Sequence, residues 1–174
     1  MTRRNVIALS VLASVFAGAV CVYSLRWPLV NALIAREFRE VQPITTAELA
    51  AWLADASRPA PLLVDTRTRA EYEVSHLPGA KYGGSDADFD LAGEPRDRPI
   101  VAYCSIGYRS ARFARTLQAA GFTNVRNLEG SIFKWANEGR PVFRGDARVA
   151  EVHPYNSTWA MFLDGKYRAR VAVR

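Results

Sequence analysis

Two short apolar runs, Leu62-Leu63-Val64 and Ile100-Val101-Ala102-Tyr103, restrict the folds open to this chain more than any other feature. Neither run alternates with polar residues and both are too short for a helix. Each therefore reads as a strand buried on both faces. Helical patterns lie between and around them. Thr45-Thr46-Ala47-Glu48 is a capping box, and Leu49, Trp52 and Leu53 follow at helical spacing until Pro59 and Pro61. After the second run, Phe113, Leu117 and Ala120 share a helical face that Gly121 ends. Val125 to Leu128 reads as a further strand, Ser131 to Asn137 as a further helix, and Ala80 to Tyr82 as a short strand. Strands alternating with helices imply an α/β domain with a central parallel sheet flanked by helices.

Composition matters at two points. Hydrophobic residues make up 49% of the 174, enough for a real core, so disorder is not expected. The net charge of +6 invites a nucleic-acid reading, but residues 43–145 carry thirteen basic against twelve acidic side chains. The excess sits in the tails, whereas a nucleic-acid footprint is a basic face on the folded domain. No nucleic-acid partner is expected.

The N-terminus carries its own signal. Val6 to Leu25 contains neither charge nor proline, and as a helix it spans about 30 Å, the thickness of a bilayer core. Arg26-Trp27 supplies a charge and an interfacial aromatic at its end. A cleaved signal peptide, with Arg3-Arg4 as its start and Ala17-Gly18-Ala19 as its cleavage site, is the alternative. The run continues past that site, which favours an uncleaved transmembrane anchor with the domain on the periplasmic or extracytoplasmic side. The expected organisation is an anchor or signal over 1–27, a linker over 28–42, the α/β domain over 43–145 and an extension over 146–174. The linker is expected to be an amphipathic helix with Leu29, Leu33 and Ile34 on one face.

Of two cysteines, Cys21 lies inside the apolar run and Cys104 is alone in the rest of the chain. One thiol builds neither a disulfide framework nor a cysteine zinc site, and His76 and His153 are the only histidines, so no metal is expected. Asp86, Asp88 and Asp90 alternate in a loop but lack the glycine and closing glutamate of a calcium site. No cofactor is implied.

Cys104 stands at the carboxyl end of a strand, in the loop Cys104-Ser105-Ile106-Gly107-Tyr108-Arg109-Ser110 that opens a helix. That edge of a parallel sheet is where ligands bind. Backbone N–H groups, the helix N-terminus and the permanent charge of Arg109 favour an anion there, and so a thiolate over a thiol. A lone cysteine is more often inert and buried; here glycine, arginine and the strand–loop–helix context agree on a nucleophile.

These motifs have an order. Val64-Asp65-Thr66-Arg67 with Glu71-Tyr72, then His76-Leu77-Pro78-Gly79-Ala80, then Cys104 to Ser110, resemble the successive motifs of the rhodanese family. Leu128-Glu129-Gly130-Ser131, Trp135 and Gly139-Arg140-Pro141-Val142 resemble its closing segment, with Ser131 where many members have a second glycine. The resemblance implies a sulfurtransferase of the thiosulfate-using type. Cys104 would carry a persulfide, and Ser105, Ile106, Gly107, Tyr108, Arg109 and Ser110 would cradle it. Asp65, Arg67 and His76 match positions that are mainly structural in the family. The partners implied are a small-molecule or protein sulfane-sulfur donor and an external thiol or cyanide acceptor. The best-known thiosulfate users carry a basic residue just after the cysteine; this chain has Ser105 and Ile106 there.

Two rivals stand beside that reading. A Cys-dependent phosphatase also uses a cysteine–arginine loop after a strand, but with one more residue in the interval than Ser105 to Tyr108. A non-catalytic interaction or sulfur-carrier module would keep the shape without turnover. Beyond the motifs, His153-Pro154-Tyr155-Asn156 and Trp159 form an aromatic patch read as a covering flap, and Asp164-Gly165 precedes a strand-like Tyr167 to Val173.

Overall fold

The two apolar runs are neighbouring strands at the centre of a five-stranded sheet. A computed structural model of the chain describes residues 25–84 and 89–171. The sheet comprises β1 (Gln42–Ile44), β2 (Leu62–Asp65), β3 (Lys81–Tyr82), β4 (Ile100–Tyr103) and β5 (Val125–Leu128). Their order is β1-β5-β4-β2-β3 and every pairing is parallel. Side chains alternate across it. Leu63, Val101 and Tyr103 enter one core, with Leu49 and Trp52 of α2 (Thr46–Ala54) and Ile132, Phe133 and Trp135 of α5 (Ser131–Asn137). Leu62, Val64, Ile100 and Ala102 enter the other, with Phe113 and Leu117 of α4 (Tyr108–Ala119). Full burial of a side chain of this size is worth about 1.5–3 kcal/mol, so two closed faces hold the carboxyl edge of the sheet in place.

The Thr45–Glu48 capping box is present at the start of α2. A second one was not expected. The segment from Thr66 to Ser75 contains α3 (Arg69–Val74), opened by a Thr68–Glu71 capping box. Residues 83–98 contain no helix or strand among those described, and 85–88, with Asp86 and Asp88, lie outside the described residues.

The expected transmembrane helix over Val6 to Leu25 falls, except for Leu25, outside the described residues. Among the described residues no helix is long and apolar enough to cross a membrane. The linker differs from expectation. Residues 25–37 are helical (α1), but Ile34 is buried while Leu29 and Leu33 are 60% and 66% exposed. Trp27, Val30, Ile34, Phe38 and Val41 are the residues that pack onto the domain. The chain then enters the sheet as β1, an edge strand that tolerates Pro43.

The C-terminal segment is also corrected. A hairpin, β6 (Val142–Arg144) and β7 (Ala147–Val149), precedes it. Of the expected strand over Tyr167 to Val173, residues 172–173 lie outside the described residues; the described part holds the end of a 3₁₀ turn over Gly165–Tyr167 and a single bridge between Val152 and Arg168. Among the described residues its backbone pairs only with Val152, through Val152 N to Tyr167 O at 2.7 Å and Ala169 N to Val152 O at 3.0 Å. The segment still packs closely: Val152 and Leu163 are fully buried. Asn137 ties it to α5, donating to Phe162 O at 2.8 Å and accepting from Asp164 N at 2.9 Å.

Candidate functional site

β4 delivers Cys104 to the carboxyl edge of the sheet, and the loop then closes around its sulfur. The Gly107 N–H donates to Cys104 Sγ at 3.2 Å. That aim requires Gly107 at φ +115°, where an L side chain is strained. A Cβ there would also meet Ile34 Cδ1 at 3.3 Å. The outer side of the loop is held by neighbouring elements. Ile132 N and Phe133 N, in the first turn of α5, donate to the Cys104 and Ser105 carbonyls, each at 3.2 Å. Ser131 Oγ accepts from Cys104 N at 3.1 Å and donates to Leu128 O at 3.1 Å. Asn127 of β5 donates to Gly107 O at 3.1 Å and accepts from Ser110 Oγ at 2.7 Å.

Arg109 lies beside the thiol without a direct role in holding it. Its two terminal nitrogens donate to Glu71, Nη1 to Oε2 at 2.9 Å and Nη2 to Oε1 at 2.8 Å. Nη2 also donates to Ser105 Oγ at 2.9 Å, and that hydroxyl donates to Glu71 Oε1 at 3.0 Å. Glu71 is 2% exposed. Burial pushes its carboxyl up, but Arg109 together with the Thr68 amide and Arg67 outweighs it and holds the group at about 2. Cys104 is 1% exposed. Burial pushes its thiol up too; the Arg109 charge, hydrogen bonds from Ser110 and the Gly107 amide more than offset that and lower it below the ordinary thiol value. These surroundings lower the cost of a thiolate on Cys104.

A cavity of about 130 Å³ opens over the sulfur, lined by Cys104, Ser105, Ile106, Tyr108, Arg109, Tyr155 and Trp159. Of the loop residues singled out in the sequence, Cys104, Ser105, Ile106, Tyr108 and Arg109 line it, while Gly107 turns its amide to the sulfur from within the loop. Ser110 faces inward toward Asn127, while Tyr108 reaches out to donate to Glu37 Oε1 at 2.6 Å.

Asp65, Arg67 and His76 lie elsewhere. Asp65 and Arg67 form a fully buried ion pair at 2.6 Å. The carboxylate also accepts from Arg67 N at 3.0 Å, so the pair fixes the exit from β2. His76 stacks on Tyr72 with ring centroids 4.4 Å apart, and its backbone pairs with Phe143 of β6 in both directions at 2.8 Å.

Three site residues were not foreseen as such. Glu71 was visible as the fourth residue of Thr68-Arg69-Ala70-Glu71, a capping-box spacing that went unread. Tyr155 and Trp159 were read as part of a flap. Tyr155, at φ +66°, holds its ring 4.6 Å from the Arg109 guanidinium carbon. Only the folded chain brings that segment over the loop. No cluster of His, Cys, Asp or Glu able to hold a metal exists among the described residues.

The family model for the Rhodanese-like domain matches residues 45–138. The chain is 35% identical over 101 residues to the probable adenylyltransferase/sulfurtransferase MoeZ of Mycobacterium tuberculosis, covering 56% of this chain but only 25% of that protein. It is 35% identical over 103 residues to a protein of Allochromatium vinosum named sulfurtransferase, covering 59% of this chain and 94% of that one. A solved structure from Rhodopseudomonas palustris, described as a protein of unknown function and possible tyrosine phosphatase, superposes with a TM-score of 0.55 at 25% identity, over 66% of this chain and 93% of that one. The family match spans more than half of the sequence and includes the whole Cys104 loop: the chain belongs to the rhodanese-like domain family.

Proposed function

We propose that this protein is a sulfurtransferase that moves sulfane sulfur through a persulfide on Cys104. The observation that carries the reading is the closure of the loop on Cys104 Sγ, with the Gly107 amide directed at the sulfur. The Cys104 thiolate attacks the outer sulfur of a donor such as thiosulfate or a persulfide. A bond forms between Sγ and that sulfur as the donor's own bond to it breaks, and sulfite or a thiolate leaves. The Gly107 amide and the Arg109 charge then stabilise the anionic outer sulfur. An external thiol or cyanide attacks that outer sulfur, and the electron pair of the broken bond returns to Sγ. Cys104 is the only cysteine of the described residues, so the acceptor comes from outside the domain.

Relatives named sulfurtransferases in this family support the reading. The phosphatase alternative fits less well. Only four residues separate Cys104 from Arg109, and Arg109 is committed to Glu71 and Ser105. The test is mass spectrometry of the purified protein after exposure to thiosulfate or inorganic polysulfide. One added sulfur on Cys104, absent from Cys104→Ser, supports the proposal; a Cys104→Ser variant that still transfers sulfur refutes it. Repeated turnover with cyanide separates an enzyme from a sulfur carrier.

The proposal extends to location. Val6 to Leu25 would anchor the chain in a membrane with the domain on the extracytoplasmic side. A mature chain beginning at Val20 would instead establish a cleaved signal.

A further inference from the structure

Beside the sulfur cavity lies a second, larger one. It measures about 570 Å³ and is walled by Val30, Leu33 and Ile34 of α1, Ile106 and Tyr108 of the loop, and Trp159 of the C-terminal segment. Three of these, Ile106, Tyr108 and Trp159, also line the cavity over Cys104, so the two are adjoining parts of one site. The lining is mostly apolar. Its two charged members, Arg36 and Glu37, cancel, and Glu37 accepts from Tyr108. At the sulfur end, the charge of Arg109 is partly offset by its ion pair with Glu71.

Neither thiosulfate nor cyanide has a body to occupy such a space, which lies in the size range of ordinary ligand sites. Leu33, 66% exposed at its rim, gives the concavity an apolar side chain within reach of a bound molecule. The walls have a further property. α1 and Trp159 lie outside residues 45–138, so parts of the chain beyond the family domain complete a groove whose floor includes Ile106 and Tyr108 of the loop.

Resting on the sulfurtransferase reading, we infer that the groove seats the apolar body of the acceptor: a thiol with an alkyl or aryl tail. The tail lies against Val30, Leu33 and Trp159, and its sulfur reaches the Cys104 persulfide past Ile106 and Tyr108. The acceptor loses its thiol proton to water, and its thiolate attacks the outer sulfur. The new sulfur–sulfur bond forms as the Sγ–sulfur bond breaks, and Cys104 is left as the thiolate. The acceptor departs as its persulfide, with no other oxidant or reductant needed.

The test uses the full chain in detergent, loaded with inorganic polysulfide until mass spectrometry shows one added sulfur on Cys104. Unloading is then timed with 1-hexanethiol and with 2-mercaptoethanol, for the native protein and for Leu33→Glu and Leu33→Met. Each buried methylene is worth about a factor of four, so a tail that is even partly seated gives hexanethiol an advantage of at least about tenfold. Leu33→Glu should collapse that ratio toward one and Leu33→Met should retain it. Leu33 is exposed enough that neither change threatens the fold. Partition of hexanethiol into detergent is the same for all three proteins and cancels in the comparison. A ratio that is unchanged by Leu33→Glu overturns the proposal. So does a dimer that Leu33→Glu dissolves, because the groove would then hold a second copy. Failure of Cys104 to load overturns the sulfurtransferase reading first; loading followed by equal ratios overturns only the groove.

Discussion

Replacing Arg109 by alanine separates its two roles. Glu71 receives five hydrogen bonds: two from Arg109, one from the Ser105 hydroxyl, and two from the Thr68 amide and hydroxyl. Arg109→Ala removes two of these and the only cation among the described residues in direct contact with a carboxylate that is 2% exposed in the native protein. Breaking a buried pair from one side costs about 3–5 kcal/mol. The Glu71 carboxyl is held at about 2, against an ordinary 4.5, which corresponds to about 3 kcal/mol if Arg109 supplied the whole effect. The three remaining donors place the expected loss near 3 kcal/mol. The pH dependence fixes the sign. In the native protein this stabilisation is complete above about pH 4.5 and is lost as pH falls through about 2. In Arg109→Ala, burial is no longer offset, the carboxyl rises, and its protonation relieves the variant, so the gap between the two proteins narrows on acidification. Urea denaturation at several pH values measures it, with Glu71→Gln/Arg109→Ala expected to be more stable than Arg109→Ala alone. Alkylation of Cys104 against pH provides the second readout, and its midpoint should move up. A loss below about 1 kcal/mol with no recovery in the double variant, together with an unmoved alkylation midpoint, would refute the coupling of Glu71, Arg109 and Cys104.

Gly107→Ala should cost about 1–3 kcal/mol by thermal denaturation and slow alkylation of Cys104, because φ +115° is strained for alanine and the amide aimed at the sulfur moves. Thr68→Ala removes a capping hydroxyl and should cost about 1 kcal/mol in the same assay, while weakening the hold on Glu71. The full-length chain should pellet with membranes and resist high-salt extraction; release by salt alone would remove the anchor proposed for Val6 to Leu25.

The central sheet was legible because β2 and β4 are buried on both faces, and that leaves an unbroken apolar run. The Cys104 loop was legible because its residue types are consecutive. What stayed hidden depends on long-range packing. β1 carries Pro43 and one buried residue, Ile44, too little for a strand pattern. The face of α1 was misassigned because Leu29 and Leu33 have a core-like spacing with Ile34, yet only Ile34 meets the sheet side. Glu71 is 33 residues before the cysteine it serves, and Tyr155 and Trp159 follow it by half the length of a small domain. Sequence spacing carries no sign of such meetings.

The amides that open α5 are engaged with the carbonyls of Cys104 and Ser105, and Asn127 with that of Gly107. The loop is thus riveted along its outer rim to two elements that the sheet itself immobilises. Its aperture is a property of the scaffold, not something the ligand sets on arrival. A loop held this way resists widening, so its hydrogen bonds to α5 and Asn127 set how large a group can reach the sulfur. Loosening a rivet, as in Asn127→Ala, should admit bulkier alkylating reagents to Cys104 before it alters the charge around the sulfur.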